Sequence, residues 1–427
     1  MLDFKFIKEN RDSIKQNIAN RNMKVDIDAV IKLIDQRNEQ LRTVEALRQK
    51  RNENAQKMKA KLSPEERNAL IEEGKQIKES IASLEKQLEE TLKKLTVEAS
   101  RIPNMAHPDA PVGKLDTDNL EIKRVGQIPS FSFKPRDHVE LGQILDIVDF
   151  DTAAKVTGPK FYYLKNEGAF LEIALVHYAM DRVKEKGFTV TITPDIAKEE
   201  ILEGIGFNPR GEESNIYALE GTGTCLVGTA EITLGGYYAD QIIPKERLPI
   251  RMAGVSHCFR REAGAAGQFS KGLYRVHQFT KVEMFIYCLP SDSERMHEEL
   301  LATEETIFQG LSIPYRVVDT CTGDLGAPAY RKFDIEAWMP GRGENGEYGE
   351  VTSTSNCTDY QSRRLNIRFK DEKGNPFVHM LNGTAIAVSR AMIAIMENFQ
   401  NEDGSVRIPA RLIPYTGFDV IRPKTPR

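Results

Sequence analysis

Two long stretches near the amino terminus restrict the fold of this chain more than any other feature. From residue 26 to about 62 the sequence lacks glycine and proline, and its apolar residues fall at helical spacing in one narrow stripe. A second stretch, residues 63–100, places apolar residues in alternating three- and four-residue steps, a heptad pattern interrupted by Gly74 and Thr91. Two such helices joined by a tight turn must pack antiparallel. We therefore expect a helical coiled-coil arm about 50 Å long, at 1.5 Å per residue.

The turn between the two helices carries a cap signal and a cluster of positive charge. Ser63, Pro64 and Glu66 have the types and spacing of an N-cap, a first helical residue and a capping box. Basic residues outnumber acidic ones here, although the whole chain has a formal net charge of −4. Solvated coiled-coil faces would explain the cluster, but a basic tip can also bind an RNA phosphate backbone. The residues expected to contact RNA are Arg48, Lys50, Arg51, Lys57, Lys59 and Lys61.

Charge, cysteine usage and hydropathy exclude several classes of protein. A net charge of −4 over 427 residues argues against a uniformly basic nucleic-acid binder. The five cysteines lack CxxC or CxxH spacing, so we expect reduced thiols and no zinc. No segment has the length and apolar character of a signal peptide or a membrane span. We therefore expect a cytoplasmic protein that does not associate with a membrane.

The chain divides into an N-terminal domain and a larger body. Residues 104–125 are rich in proline, aspartate and asparagine without any periodicity, which is typical of a linker. We therefore expect an N-terminal domain over residues 1–103, with the arm at about 26–100, and a second domain over residues 126–427. The fold class predicted for the whole chain is α+β.

The body predicts an antiparallel sheet flanked by helices. Residues 167–187 predict a helix that runs into a strand ending at Pro194, and proline after a strand marks an edge or an interface. Strands expected at 249–260 and 276–287 form a long antiparallel hairpin. Without repeated βαβ units, this order does not fit a Rossmann fold. The apolar face expected for the helix comprises Phe170, Leu171, Ala174, Leu175, Tyr178 and Val183.

The hairpin carries a set of side chains suited to a nucleotide. Successive strand residues point to opposite faces, so Arg260 and Glu262 are expected to share one face, and Arg275, Phe279 and Glu283 the matching face of the partner strand. A simple ion pair between Arg260 and Glu262 would be the ordinary alternative. A guanidinium fork, a flat ring and carboxylates suit a phosphate and a base. The alanine- and glycine-rich loop between the strands could close over such a ligand.

These motifs, taken in order, resemble those of class II aminoacyl-tRNA synthetases. The stretch FRRE at 259–262, a loop, and the spaced arginine, phenylalanine and glutamate of 275–283 resemble motif 2. The predicted helix and proline-terminated strand resemble motif 1, the dimer-forming element, and LNGTAIAVSR at 381–390 resembles motif 3. With the coiled coil, GTAE at 228–231 and EVTSTSNCTDYQSRR at 350–364, essentially the whole chain resembles the seryl-tRNA synthetase family of the common bacterial and eukaryotic type.

The resemblance implies a fold, an activity and a set of partners. The body would be a class II catalytic domain, and the protein would be a homodimer. The reaction would be activation of L-serine by ATP to seryl-adenylate, with release of pyrophosphate. Transfer of serine to the 3′ end of serine tRNA, and of selenocysteine tRNA where present, would follow. ATP and Mg²⁺ are the implied substrate and cofactor.

The resemblance also assigns roles to individual residues. Arg260 and Arg390 would neutralise phosphate charge during catalysis, and Glu350 and Ser353 would hold Mg²⁺. Members of the family commonly carry serine at the position of Thr384, and the hydroxyl is kept here. The serine site would comprise Thr229, Glu231, Arg260, Glu283 and Thr384. The ATP site would comprise Arg260, Arg261, Glu262, Val276, Phe279, Glu350, Val351, Thr352, Ser353 and Arg390.

Three alternatives compete with this interpretation. An enzyme of the same fold could use threonine or proline, although few residues follow Arg390 to form the anticodon-binding domain that such relatives usually carry. An inactive paralogue could act as an RNA-binding or regulatory coiled-coil protein. An enzyme that aminoacylates a carrier protein would be expected to lack the arm. The residues that argue against lost chemistry are Arg260, Glu283, Glu350 and Arg390.

Overall fold

The computed structural model describes residues 1–208, 215–263 and 270–424. The alanine- and glycine-rich loop that was expected to close over a ligand falls largely at residues 264–269, outside the described residues. Within the described ranges, the helices are all too short or too polar to cross a membrane. The chain separates into two compact units, Met1–Pro103 and Asn104–Arg427.

Helices and strands are numbered in chain order over the described residues. The α-helices are α1 (Phe4–Glu9), α2 (Arg11–Asn20), α3 (Ile27–Lys57), α4 (Pro64–Ser100), α5 (His138–Ile144), α6 (Phe150–Val156), α7 (Glu167–Glu185), α8 (Glu199–Ile205), α9 (Glu231–Gly235), α10 (Ser293–Gly310), α11 (Tyr360–Arg364), α12 (Val388–Asn398) and α13 (Ile413–Thr416). The strands are β1 (Leu120–Val125), β2 (Val148–Asp149), β3 (Tyr163–Leu164), β4 (Thr189–Ile192), β5 (Ile196–Lys198), β6 (Tyr217–Leu219), β7 (Thr224–Leu226), β8 (Ile242–Pro244), β9 (Ile250–Phe259), β10 (Gln278–Cys288), β11 (Tyr315–Asp319), β12 (Arg331–Met339), β13 (Glu347–Asn356), β14 (Arg368–Lys370), β15 (His379–Ala387), β16 (Val406–Arg407) and β17 (Val420–Ile421).

The first unit is built around the antiparallel pair α3 and α4. Arg48, late in α3, forms an ion pair of 2.7 Å with Glu85 in the middle of α4. Asn54, nearer the end of α3, donates a hydrogen bond of 3.2 Å to the carbonyl of Leu70, near the start of α4. Because residues later in α3 meet residues earlier in α4, the two helices run in opposite directions. The prediction of a long antiparallel pair is confirmed.

The turn between these helices contains the predicted capping box. The Ser63 hydroxyl accepts a hydrogen bond of 3.2 Å from the Glu66 amide, and the Glu66 carboxylate accepts one of 2.8 Å from the Ser63 amide. Helix α3 ends at Lys57, earlier than the expected residue 62. Ser63 is extended, with ψ at 160°, because the residue before Pro64 avoids helical geometry. The residues leading into this cap therefore leave the helix to make the turn.

The two interruptions of the heptad pattern have separate explanations. Asn54 is buried in the seam, and its amide also donates to the Glu73 carboxylate at 2.9 Å. A Cβ atom at Gly74 would lie 3.3 Å from the Asn54 side-chain oxygen, so glycine leaves room for this buried amide. Thr91 is buried as well, and its hydroxyl bonds to a carbonyl of its own helix. A buried amide such as that of Asn54 fixes the register of packed helices.

The second unit contains one large sheet. Among the described residues it has eight strands in the order β1-β11-β12-β13-β15-β10-β9-β4. Neighbouring strands are antiparallel except β4, which lies parallel to β9 at the edge. The predicted hairpin is confirmed as β9 and β10, with Phe279 opposite Cys258. The α+β prediction and the edge position of the strand before Pro194 are also confirmed.

An extensive hydrophobic core cluster lies on one face of this sheet. Val282 and Ile286 of β10 are fully buried there, in a cluster with apolar residues of α7, α10 and α12. Alternate residues of the same strand, Phe279, Lys281 and Glu283, project from the opposite face. Helices α7, α10 and α12 therefore cover one side of the sheet, and part of the other side is left to form a site.

Two expectations for the second unit need correction. The segment 104–125 is part of this unit and does not act as a linker. Asn104 is buried, and its side-chain amide donates a hydrogen bond of 3.0 Å to the carbonyl of Cys357. Residues 120–125 form the edge strand β1. Phe170 is not on the buried face of α7, because it is 60% exposed beside Ile173, which is 65% exposed. The other residues expected on that face are buried.

Candidate active site

A cleft opens over the neighbouring strands β13, β15, β10 and β9, on the sheet face that the core helices leave uncovered. The cleft is open to solvent and is lined by charged, hydroxyl and aromatic side chains. Residues expected at the site from the sequence that line it are Arg260, Glu262, Val276, Phe279, Glu350, Val351, Thr352, Thr384 and Arg390. Arg275, predicted on the same hairpin face, lines the cleft as well, and the lining residues that were not predicted from the sequence are Tyr274, Lys281, Ala387 and Ser389. Expected residues that do not line the cleft are Thr229, Glu231, Arg261, Glu283 and Ser353.

The outer part of the cleft is built on Arg260 and Phe279. Arg260 follows the last residue of β9, and its amide still donates 2.9 Å to the carbonyl of His277. Its guanidinium lies over the Phe279 ring, 5.3 Å from the ring centroid, and its Nε donates 3.2 Å to the carbonyl of Gly228. This stacking fixes the plane of the guanidinium. The predicted shared face of Arg260 and Phe279 is confirmed.

Glu262 reaches the cleft by a different route from the one predicted. Strand β9 ends at Phe259, so strand alternation does not extend to Glu262, whose φ of 49° is left-handed. Its carboxylate pairs with Arg275 at 3.0 Å, and this ion pair replaces the simple alternative of a bond to Arg260. Arg261 is exposed on the surface and does not line the cleft.

At the inner end of the cleft, the lining residues Lys281 and Thr384 contact the buried carboxylate of Glu283, which does not itself line the cleft. The Lys281 ammonium forms an ion pair with the Glu283 carboxylate, and both residues are buried. The Thr384 hydroxyl donates 3.2 Å to the same carboxylate and lies 3.4 Å from the Lys281 ammonium. Thr384 comes from β15, directly opposite Glu283 in the sheet register. Lys281 could have been found from the sequence, since it alternates with Phe279 and Glu283 along one strand face.

Thr229 and Glu231 adjoin this cluster. Thr229 is buried, and its hydroxyl accepts a hydrogen bond of 3.2 Å from the amide of Glu231. The Glu231 carboxylate accepts hydrogen bonds of 2.8 Å from the Gln361 side-chain amide and 3.0 Å from that of Asn382. Burial, and next the negative charge of Glu283, raise the pKa of Glu231 to about 7. The site thus holds a carboxylate that changes charge near neutral pH.

Arg390 lies at the opposite side of the cleft. It belongs to the first turn of α12, and its Nη1 lies 3.1 Å from the Glu350 carboxylate. Its guanidinium is 4.7 Å from the centroid of the Tyr274 ring. Desolvation opposes ionisation of Glu350, but Arg390 and then Lys332 outweigh it and hold the pKa of Glu350 below its ordinary value. Glu350 therefore stays an anion beside two cations.

A β-bulge brings Glu350 and Ser353 to the same face of β13. In the pairing with β12, Glu350 lies opposite Glu336 and Ser353 lies opposite Asp334, while Val351 is the extra residue. Strict alternation would have placed residues three apart on opposite faces. The bulge reverses this, so that both predicted metal ligands face the same way as Asp334.

Asp334 completes an oxygen-rich patch at this position. Burial raises the pKa of Asp334 to about 6, although Lys332 opposes the shift and the charge of Glu350 adds to it. Its Oδ1 atom is buried and makes no hydrogen bond within the described residues. Carboxylate and hydroxyl oxygens are the donors that Mg²⁺ prefers. Glu350 and Ser353, with an unsatisfied carboxylate oxygen beside them, therefore fit that ion.

The tip of the arm presents its cations to solvent. Arg48 is engaged by Glu85 across the helix pair, although its side chain remains 55% exposed. The other residues expected to contact RNA are exposed, and they are Lys50, Arg51, Lys57, Lys59 and Lys61.

The fold and the cleft together define a class II aminoacyl-tRNA synthetase core. The family described as "tRNA synthetase class II core domain (G, H, P, S and T)" matches residues 218–399, and "Seryl-tRNA synthetase N-terminal domain" matches residues 1–106. The chain belongs to the seryl-tRNA synthetase family.

Full-length relatives support this assignment. The chain is 65% identical to the serine–tRNA ligase of Treponema denticola and 58% identical to that of Borrelia recurrentis, with 99% of this chain and 100% of each relative covered. It superposes on the crystal structure of seryl-tRNA synthetase from Pyrococcus horikoshii complexed with ATP with a TM-score of 0.92. That match has 42% identity and covers 100% of both chains.

Proposed function

We infer that this chain is a serine–tRNA ligase that activates L-serine with ATP and transfers it to the 3′ end of serine tRNA. The observation that carries the inference is one cleft in which Arg260 stacks on Phe279 beside the buried Glu283–Thr384 pair. The first group suits a nucleotide and the second a small hydroxylated amino acid. The Pyrococcus relative is complexed with ATP, which supports ATP as the nucleotide bound by this chain.

The inner cluster provides a partner for each polar group of serine. The half-buried Glu231 carboxylate, with Thr229 beside it, would pair with the ammonium group. Arg260 would bind the carboxylate, and Glu283 with Thr384 would bind the hydroxyl. A hydroxyl recognised by buried polar groups separates serine from alanine, because alanine leaves those groups unpaired.

The outer cleft would hold ATP with its α-phosphate near Arg260. Phe279 would lie under the base, Glu262 at the base edge, and Arg390 at the γ-phosphate. The serine carboxylate would attack the α-phosphorus, and the bond to pyrophosphate would break. The tRNA ribose hydroxyl would then attack the acyl carbon, the acyl–phosphate bond would break, and AMP would leave. No protein nucleophile is needed, so these residues act by positioning and by neutralising charge. Mg²⁺, held by Glu350 and Ser353, would supply further neutralisation of the phosphates.

The arm would bind the tRNA. Its exposed lysines and arginines form a positive end on an acidic protein, which suits a phosphate backbone. Serine tRNA is the proposed partner, and selenocysteine tRNA would be bound through the same contacts where it exists. The body alone would then suffice for the activation of serine.

The protein would act as a cytoplasmic homodimer. Phe170 and Ile173 of α7 are 60% and 65% exposed, and Ile192 of the edge strand β4 is 84% exposed. Exposed apolar side chains grouped on the elements of motif 1 suit a two-fold interface with a second copy. The five cysteines are all buried and are not joined in disulfides, which suits a reducing compartment.

Serine-dependent exchange of pyrophosphate into ATP tests the activation step directly. The purified protein should exchange with serine and much more weakly with threonine or alanine. Exchange with proline equal to that with serine, or none with serine, would refute the inference. Aminoacylation of serine tRNA by the same preparation separates the ligase from an inactive RNA-binding paralogue.

A further inference from the structure

A buried histidine and glutamate lie outside the cleft and have no part in the proposed chemistry. His138 is the first residue of α5 and Glu397 the last but one of α12, and both are buried. The imidazole Nδ1 lies 2.8 Å from Glu397 Oε1, which also accepts 3.0 Å from the His138 amide. Two buried polar groups joined at two points make a rigid contact between the helices.

The other side of the imidazole holds the segment that returns from the motif 2 loop. The Leu273 amide donates a hydrogen bond of 3.2 Å to His138 Nε2. Because Nε2 accepts, the ring proton must be on Nδ1, which donates it to Glu397. Gly272 has a φ of 57°, and a Cβ atom there would lie 2.3 Å from His138 Nε2. The neighbouring Asp137 forms an ion pair with Lys271. The consecutive residues Lys271, Gly272 and Leu273 therefore all pack against Asp137 and His138.

The segment held in this way leads directly into the cleft at Tyr274. Two guanidiniums, those of Arg342 and Arg390, each lie 4.7 Å from the centroid of the Tyr274 ring. The other carboxylate oxygen of Glu397 accepts a hydrogen bond of 2.8 Å from the amide of Gly341, the residue before Arg342. The same pair of buried groups is therefore tied to the neighbour of Tyr274, to the neighbour of Arg342, and to the helix that carries Arg390.

We propose that His138 and Glu397 are positioning residues for ATP, which set Tyr274 and its two arginines at the phosphate side of the cleft. Neither residue touches the substrate, and both act through the backbone of the segments that they join. The proposal rests on the proposed function of the cleft. It implies that disturbing this pair changes the use of ATP without changing the use of serine, whose pocket lies around Glu283.

Two substitutions of His138 separate the two hydrogen bonds. In His138→Gln the side-chain amide reaches the Nε2 position and can accept from Leu273, whereas in His138→Asn it reaches only the Nδ1 position. Pyrophosphate exchange by the full chain should show a KM for ATP raised about five- to tenfold by His138→Asn, the loss of one hydrogen bond, and largely restored by His138→Gln. The KM for serine should stay within about twofold in both. Equal effects of the two variants, or equal changes in both KM values, would overturn the proposal.

A second variant approaches the same contact from the loop. Gly272→Ala should raise the KM for ATP as His138→Asn does, because its new methyl group displaces the segment from the imidazole. Gly417→Ala is the matched control, since Gly417 has a similar φ of 77° but open space around its Cβ position. A control variant with the same ATP defect would show that only backbone strain matters, and would refute the proposal. Absence of serine-dependent exchange in the unmodified protein would instead refute the proposed function.

Discussion

The guanidinium of Arg260, just after the end of β9, lies 5.3 Å from the centroid of the ring of Phe279, near the start of the hairpin partner β10. The ring holds the guanidinium plane while its Nε is bonded to Gly228. A lysine has neither a planar fork nor a delocalised charge to stack in this way. We therefore predict that a positive charge at position 260 without a stacked guanidinium is insufficient for activity.

Arg260→Lys should lower serine-dependent pyrophosphate exchange by about 100-fold or more, because a preorganised group that neutralises transition-state charge is lost. Arg247→Lys is the matched control, since Arg247 also stacks on an aromatic ring, Tyr238, at 5.7 Å but does not line the cleft. Exchange kinetics with both variants check the prediction. An Arg260→Lys enzyme with nearly normal kcat/KM would contradict it.

Thr384→Val should raise the KM for serine by about 10- to 100-fold, because the Glu283 carboxylate loses a buried donor and the serine hydroxyl loses a partner. Thr384→Ser keeps the hydroxyl and should remain close to the unmodified enzyme. The KM for ATP should change little in either variant. If the valine and serine variants behave alike, the hydroxyl is not part of amino-acid recognition.

The raised pKa of Glu231 predicts a pH dependence with opposite signs for activity and stability. Below about pH 7 the carboxyl gains a proton, so kcat/KM for serine should fall by up to about tenfold per pH unit. The folded state binds this proton between the ordinary pKa of 4.5 and about 7, so stability should rise as the pH falls through that window.

Glu231→Gln removes the titrating group and is the control for both readouts. Its serine kinetics should be poor but flat over this pH range, and its thermal stability should lose the corresponding pH dependence. The pH profile of kcat/KM for serine and melting curves, measured in the same buffers, test whether activity falls while stability rises as the pH is lowered. An unmodified enzyme whose serine kcat/KM is constant from pH 6 to about 8 would exclude Glu231 as the ammonium partner.

Neutralising Lys57, Lys59 and Lys61 together should weaken tRNA binding while leaving pyrophosphate exchange unchanged. For each phosphate that the arm no longer neutralises, the slope of log K against log salt should become shallower by roughly 0.7 to 0.9. Deletion of residues 30–97 with a short bridging linker should abolish aminoacylation and spare exchange. Neutralising the exposed Lys155, Lys370 and Lys373 of the second unit is the charge-matched control. An unchanged salt slope would remove the arm tip from the tRNA interface.

Ile192→Glu should dissociate the proposed homodimer, because a charge would enter an apolar interface around a side chain that is 84% exposed in one chain. Sedimentation at several concentrations measures the effect. Val112→Glu is a matched control at another exposed apolar side chain, 72% exposed, outside motif 1. A fully active monomer of the unmodified protein at low concentration would contradict the dimer.

The sequence by itself determined the features that depend on near neighbours in the chain. The heptad seam, the Ser63–Glu66 capping box and the β9–β10 hairpin follow from periodicity and turn residues, and all were predicted correctly. Strand alternation also brought Arg260 and Phe279 together, because both lie on one hairpin. Such short-range patterns determine local geometry before any distant contact forms.

Only the tertiary structure decided the features that depend on pairing between distant segments. The bulge that turns Glu350 and Ser353 to one face exists because β13 pairs with β12 with one extra residue, which strict alternation does not predict. The strand β1 within the expected linker forms because β11, almost 200 residues away, offers it an edge. The contact of His138 with Leu273 likewise spans 135 residues. Long-range register sets these positions, and no local pattern in the sequence encodes it.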